Sequence, residues 1–229
     1  ISTVAQRLLN LPAAFGTSQQ RAAWQQLLDK LPPLPMGKTH NGKQPPQGQG
    51  DANGTQIILP AKAYGTTSNS ENPELYTIFP YRIHGVSKPD LTLATNTYAA
   101  RLFPFSVCWG QDGEQAAMLG LTANARADVL SEMTEYGGQR FKWFWRSAND
   151  WIPDMDNGGA GMVTLQSMLM QTDGRRILLI PAWPKDWTAD FKLHAPFKTT
   201  VEGHVEGGKV TGLKVTPESR GADVTIMNQ

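Results

Sequence analysis

The chain has 229 residues, of which 40% are apolar and 18% charged, with a formal net charge of +1. That length and composition fit a globular protein of one large domain, or of a medium domain plus a small one. A near-neutral surface without a run of basic residues gives no electrostatic case for nucleic acid, and no stretch approaches the roughly 18 consecutive apolar residues of a membrane span.

The chain starts at Ile1 inside a predicted helix, which reads as a fragment of a longer protein. Residues 1–10 and 18–31 have helical periodicity, with Trp24, Leu27, Leu28 and Leu31 at i, i+3, i+4 and i+7. Ser18 is a candidate cap, and Pro32, Pro33 and Pro35 end the second helix. Residues 36–73 are polar and rich in Gly, Pro, Gln and Asn, so they read as a long loop interrupted by one apolar run at Ile57–Pro60. Asn53-Gly54-Thr55 fits a glycosylation sequon, a pattern common by chance. A short helical turn is expected from Glu74, and helices over 88–102, over 112–136 with a break near Gly120–Thr122, and over about 159–171. From there the period falls to 2. Ile177–Ile180, Thr199–Val205, Lys209–Val215 and Asp223–Ile226 read as strands, with Gly207-Gly208 as a hairpin turn. The expected fold class is therefore mainly α with a C-terminal antiparallel β module, divided near residue 174 into segments 1–174 and 175–229.

The aromatic inventory is unusual for this length: seven Trp, with Trp143, Trp145 and Trp151 close together and interleaved with polar residues. Pyranose rings stack their C–H faces on indole, while amides and carboxylates bind the hydroxyls. Asn149, Asp154, Asp156 and Asn157 belong to the same segment, just before two glycines and a predicted helix. An aspartate at that helix start could activate a water, and Asp156 or Asn157 could equally be a helix cap. Glu71, Glu74 and Arg82 form a second polar group, in which Glu74 either binds hydroxyls or caps a turn. Trp109, Gln111 and Asp112 form a third, with Trp109 and Gln111 as cleft-lining candidates and Asp112 also a cap candidate. Tyr64, Tyr76 and His84 are the candidate bases under a lyase reading. The single cysteine, Cys108, excludes an intrachain disulfide and reads as a buried small apolar group.

Several segments match a known family in order. Leu31-Pro32-Pro33-Leu34-Pro35-Met36-Gly37-Lys38, Glu74-Leu75-Tyr76-Thr77-Ile78-Phe79-Pro80 and Cys108-Trp109-Gly110 are three of them. The fourth runs from Met155-Asp156-Asn157-Gly158-Gly159 to Ile180-Pro181-Ala182-Trp183-Pro184. Together they resemble the C-terminal half of glycoside hydrolase family 95, the α-L-fucosidase and α-L-galactosidase group, or a sister family. The resemblance implies a partial (α/α)6 toroid, an inverting glycosidase acting on plant or host glycans, and Asp156 as the base. With that reading, residue type and position put Glu74, Arg82, Trp109, Gln111, Trp143, Trp145, Asn149, Trp151, Asp154 and Asn157 around the sugar, and no metal or organic cofactor is expected. The expected partners are an oligosaccharide or polysaccharide and the missing N-terminal part of the same enzyme, which would carry the general acid. The expected location is periplasmic or extracellular. The sequence departs from the family in reading Asp-Asn-Gly for Asp-Gly-Asn, and in placing Glu71 and Glu74 where the family has histidines, which points to a different glycoside. A non-catalytic sugar-binding fragment or a polysaccharide lyase are the rival expectations.

Overall fold

The computed structural model describes residues 1–66, 70–105, 108–133 and 155–227. Helices α1 (Ser2–Leu9) and α2 (Ser18–Lys30) pack on each other. Thr17, one residue before the expected cap, closes the start of α2. Its hydroxyl accepts from the Gln20 N–H at 3.2 Å, and the Gln20 side chain accepts from the Thr17 N–H at 2.8 Å. Strand β1 (Met36–Lys38) pairs antiparallel with β2 (Gln56–Ile58). Ile57 and Ile58 of β2 are buried against helix α3 (Leu91–Ala100), where the Thr97 hydroxyl accepts from the Ile58 N–H at 3.0 Å. A 3-10 turn at Pro73–Thr77 sets Leu75 and Ile78 into the core.

Helices α4 (Asp112–Met118), α5 (Thr122–Met133) and α6 (Met155–Leu169) pack on one another. The break between α4 and α5 falls where the sequence predicts it, at Gly120, whose φ of 75° lies in the left-handed region. Contact at this junction is close. A Cβ on Gly113 of α4 would lie 2.7 Å from Thr164 Oγ1 on α6. Strand β3 (Met170–Asp173) continues from α6 and turns at Gly174 into β4 (Arg176–Leu179), its antiparallel partner. Strands β5 (Ala189–Ala195), β6 (Thr199–Glu206) and β7 (Lys209–Thr216) form an antiparallel meander. Gly207 and Gly208, at φ 58° and 72°, make the β6–β7 turn that the sequence predicts. Strand β8 (Val224–Ile226) returns to pair parallel with β4.

One hydrophobic cluster runs through these layers. It includes Leu75, Tyr98, Ala117, Val129 and Met168 from the helical elements, and Ile177, Leu179, Trp183, Phe191 and Val201 from the strands and their connections.

The fold class expected from the sequence is corrected by this arrangement. The described residues are 38% helical and 21% strand, with three small sheets, so the protein is mixed α/β and not a mainly-α partial toroid. The physical reason lies in how the helices cover their apolar faces. Among the described residues the main helix-on-helix packing is α1–α2 and α4–α5–α6, while α3 packs on β2 and the 3-10 turn, and α6 passes directly into a strand. Among the described residues no helix is long and apolar enough to cross a membrane.

Candidate functional site

A polar groove lies between the 3-10 turn and the segment leading into α4. Glu71, Tyr76, Phe105, Trp109, Gln111 and Gln115 line it, with Asp112 beside them. Sequence dictates each wall. Asn72 clamps the turn to the chain after α3: its Nδ2 donates to the Phe103 carbonyl at 2.8 Å, and its Oδ1 accepts from the Phe103 N–H at 3.2 Å. Gly110 permits the opposite wall, since a Cβ there would lie 2.1 Å from the Phe105 carbonyl oxygen. Trp109 stands tilted against Phe105, with ring centroids 5.0 Å apart and planes at 49°. Tyr76 hydrogen-bonds Glu71, and burial first, then the Glu71 charge, raises its hydroxyl above the usual tyrosine range.

Asp112 is held at the start of α4 by a buried ion pair. Arg101 Nε donates to its Oδ2 at 2.7 Å, and the Phe105 N–H donates to the same oxygen at 3.0 Å. The guanidinium also lies 3.8 Å from the centroid of the Tyr98 ring. Burial raises the Asp112 carboxyl and Arg101 pulls it back down, without cancelling the rise. Among the described residues the amide oxygens of Gln111 and Gln115 are buried with no hydrogen-bond partner, next to the aromatic wall of the groove.

Behind Asp112 lies a set of carboxyls that sequence reasoning missed. Glu114 on α4, and Asp128 and Glu132 on α5, face the α4–α5–α6 junction, where Gly113 and Gly161 bring the helices together. Burial pushes the Glu114 carboxyl up to about 7, Asp128 and Asp112 add to the rise, and its own backbone N–H and the Thr164 hydroxyl oppose it. Burial, and then the Asp112 charge, push Asp128 up to about 6. Glu114 and Gln115 lie in the first turns of α4, and no sequence motif singles them out. The available signal was the run Ala116-Ala117 next to them, which turns that face of α4 inward.

The expected site residues are distributed as follows. Trp109 and Gln111 share the groove. Glu74 lines the neighbouring cleft with Glu71, Tyr64 and Phe103. Arg82 is elsewhere, with its Nη1 donating to Gln171 Oε1 at 2.9 Å. Asp156 is exposed in the first turn of α6. Asn157, the next residue, is fully buried, and its side chain bonds two backbone groups: its Oδ1 accepts from the Cys108 N–H at 3.0 Å, and its Nδ2 donates to the Glu132 carbonyl at 2.9 Å. Trp143, Trp145, Asn149, Trp151 and Asp154 lie outside the described residues. Among the described residues no group of three or more His, Cys, Asp or Glu is placed to hold a metal ion.

Compared with protein-family models and with curated proteins, the chain matches none.

Proposed function

We propose that the chain handles carbohydrate: it binds a glycan in the Trp109 groove, and Asp156 activates water for hydrolysis of a glycosidic bond. The supporting observation is the groove itself, where an aromatic wall of Trp109 and Phe105 stands beside the carboxylates Glu71 and Asp112 and the buried amide oxygens of Gln111 and Gln115. Apolar sugar faces stack on the rings, and hydroxyls donate to the oxygens. Asp156 is solvent-exposed in the first turn of α6, open to a water that a general base could activate. In an inverting reaction this carboxylate takes a proton from the attacking water while a second carboxyl, roughly 6.5–9.5 Å away, protonates the leaving oxygen.

A binding-only reading has one specific observation in its favour: Asp156 is not among the groove residues. A panel of aryl α- and β-glycosides, run with wild type, Asp156→Asn and Trp109→Ala, separates the two. Hydrolysis in the wild type that falls about 10³-fold or more in Asp156→Asn supports the base, a loss expected when a general base and the water it positions are removed together. Trp109→Ala should weaken saccharide binding by about 5- to 50-fold, the loss of one stacked ring at about 1–2 kcal/mol. Saccharide binding without hydrolysis selects the binding-only reading. A chain that binds and cleaves no saccharide removes both.

A further inference from the structure

A second cleft runs beside the groove, between the loop at 43–47, the loop at 64–66 and the chain after α3. Its walls are pinned by backbone bonds. The Gln44 N–H donates to the Ala100 carbonyl at 2.8 Å. The Tyr64 hydroxyl donates to the Pro45 carbonyl at 2.9 Å, and the Tyr64 N–H donates to Gln47 Oε1 at 2.8 Å. Leu102, Phe103 and Tyr64 supply apolar surface, and Glu71 and Glu74 supply the charge.

Glu74 is the unusual member. It is 3% exposed, and among the described residues its buried carboxylate oxygens meet no hydrogen-bond donor beyond its own backbone N–H. A buried, unpaired carboxylate is costly and persists only if it stays protonated or meets a cation. Burial accordingly pushes its carboxyl up to about 7. The charged or titratable groups that share this cleft and its outer extension are Tyr64, Glu71, His40 and Lys43. Burial, and then the Glu74 charge, raise the Tyr64 hydroxyl above the usual tyrosine range. His40 is paired with Asp51 at 2.8 Å, and Lys43 is exposed at the outer end. Among the described residues no cation is paired with Glu74.

We propose that this cleft binds a small primary ammonium carried on an apolar ring or chain, with Glu74 as its counter-ion. Glu74 stands on the cleft wall, where its carboxylate meets the ammonium. The apolar body of the ligand rests on Phe103, Leu102 and the Tyr64 ring. A neutral hydroxyl in the same place leaves the carboxyl protonated and gains only an ordinary hydrogen bond.

The test uses benzylamine beside its neutral counterpart benzyl alcohol, titrated calorimetrically into the wild-type chain, Glu74→Gln and Trp109→Ala. Benzylamine should bind at least tenfold more tightly than benzyl alcohol. Its affinity should rise about tenfold between pH 6 and pH 8, because Glu74 must ionise to pair with it. At pH 6 binding should release close to one proton, read as a dependence of the heat on the ionisation enthalpy of the buffer. Glu74→Gln, a neutral isostere that keeps the fold and its circular dichroism, should abolish both the preference and the proton release. Trp109→Ala should leave them unchanged, which separates this cleft from the carbohydrate groove. Equal affinity for the two probes, no binding of benzylamine at millimolar concentration, or pH-independent binding that survives in Glu74→Gln would each overturn the assignment.

Discussion

Unfolding by urea should show the protein most stable near pH 4–5 and weaker by several kcal/mol at pH 8. Three buried carboxyls produce the loss. Burial raises Glu74 and Glu114 from an ordinary 4.5 to about 7, and burial with the Asp112 charge raises Asp128 from 3.8 to about 6. In the unfolded chain these groups give up their protons around pH 4, and in the folded chain they keep them until pH 6–7. The folded state therefore binds more protons between those limits. The stability they contribute is fully present below the unfolded pKa values and is lost as pH rises through the folded ones. A rise of about 2.5 units at a fully buried group amounts to about 3 kcal/mol at most, since each unit is about 1.4 kcal/mol. Asp173 works in the opposite sense. Lys88 and Arg176 hold its carboxyl below the usual range, so its contribution is present at neutral pH and fades in acid, which sets the lower edge of the optimum. Glu74→Gln and Glu114→Gln should each flatten the decline, raising stability at pH 8 by about 1–3 kcal/mol while changing it little at pH 5. Stability that is flat from pH 5 to pH 8 would mean that these carboxyls are satisfied in the folded chain.

The same carboxyls show where sequence reading stops. Glu114, Asp128, Glu132 and Thr164 sit on three helices, and nothing in their local spacing says that one junction collects them. What brings them together is the close approach at Gly113 and Gly161, a tertiary fact. Local patterns carried the rest well where they were long enough. The apolar spacing of α2, α3 and α5 and the Gly207-Gly208 turn are legible from period and turn chemistry. Strand β1 is three residues long and carries no alternation to read. Strand β3 follows Leu169 without any breaker, so its residues continue the helical pattern until pairing with β4 decides otherwise. Strand β5 is a different case. Phe191, Leu193 and Ala195 alternate with Asp190, Lys192 and His194, a period-2 signal legible in the sequence though not among the expected strands.

The fold class failed for a related reason. Helices closing on helices were what the family resemblance implied, and periodicity tells which face of a helix is apolar and not what covers it. Here β2 covers α3, and the strand that follows α6 joins a sheet with β4 and β8. The site was legible in part. Trp109 and Gln111 were named from residue type and do share a groove, whereas Gln115 and Glu71, which complete it, come from a helix interior and a loop.

Asn157→Ala should be the most damaging single change near the candidate base, lowering the melting temperature by about 10 °C. The amide is fully buried and joins three parts of the chain: the first turn of α6, the last turn of α5 through the Glu132 carbonyl, and the Cys108 N–H of the segment that carries Trp109. Alanine removes the acceptor of one buried N–H and the donor to one buried C=O, each loss costing about 1–3 kcal/mol. At about 2–4 °C per kcal/mol for a chain of this size, the sum is a shift of that order. Asn157→Asp keeps the acceptor but loses the donor and buries a charge, so its loss should grow as pH rises and the new carboxyl ionises. The neighbouring Asp156→Asn should leave the melting temperature within about 1 °C, because an exposed first-turn carboxylate contributes only a few tenths of a kcal/mol to its helix. The pair separates support from chemistry. Cys108 holds a left-handed φ of 57°, a strained value for a residue with a Cβ, and the Asn157 oxygen helps to keep it there. Releasing it lets Trp109 leave Phe105, so saccharide affinity should fall in Asn157→Ala together with stability. In Asp156→Asn saccharide affinity should persist while turnover is lost. If Asn157→Ala melted like the wild type, the amide would be carrying neither the junction nor the groove wall.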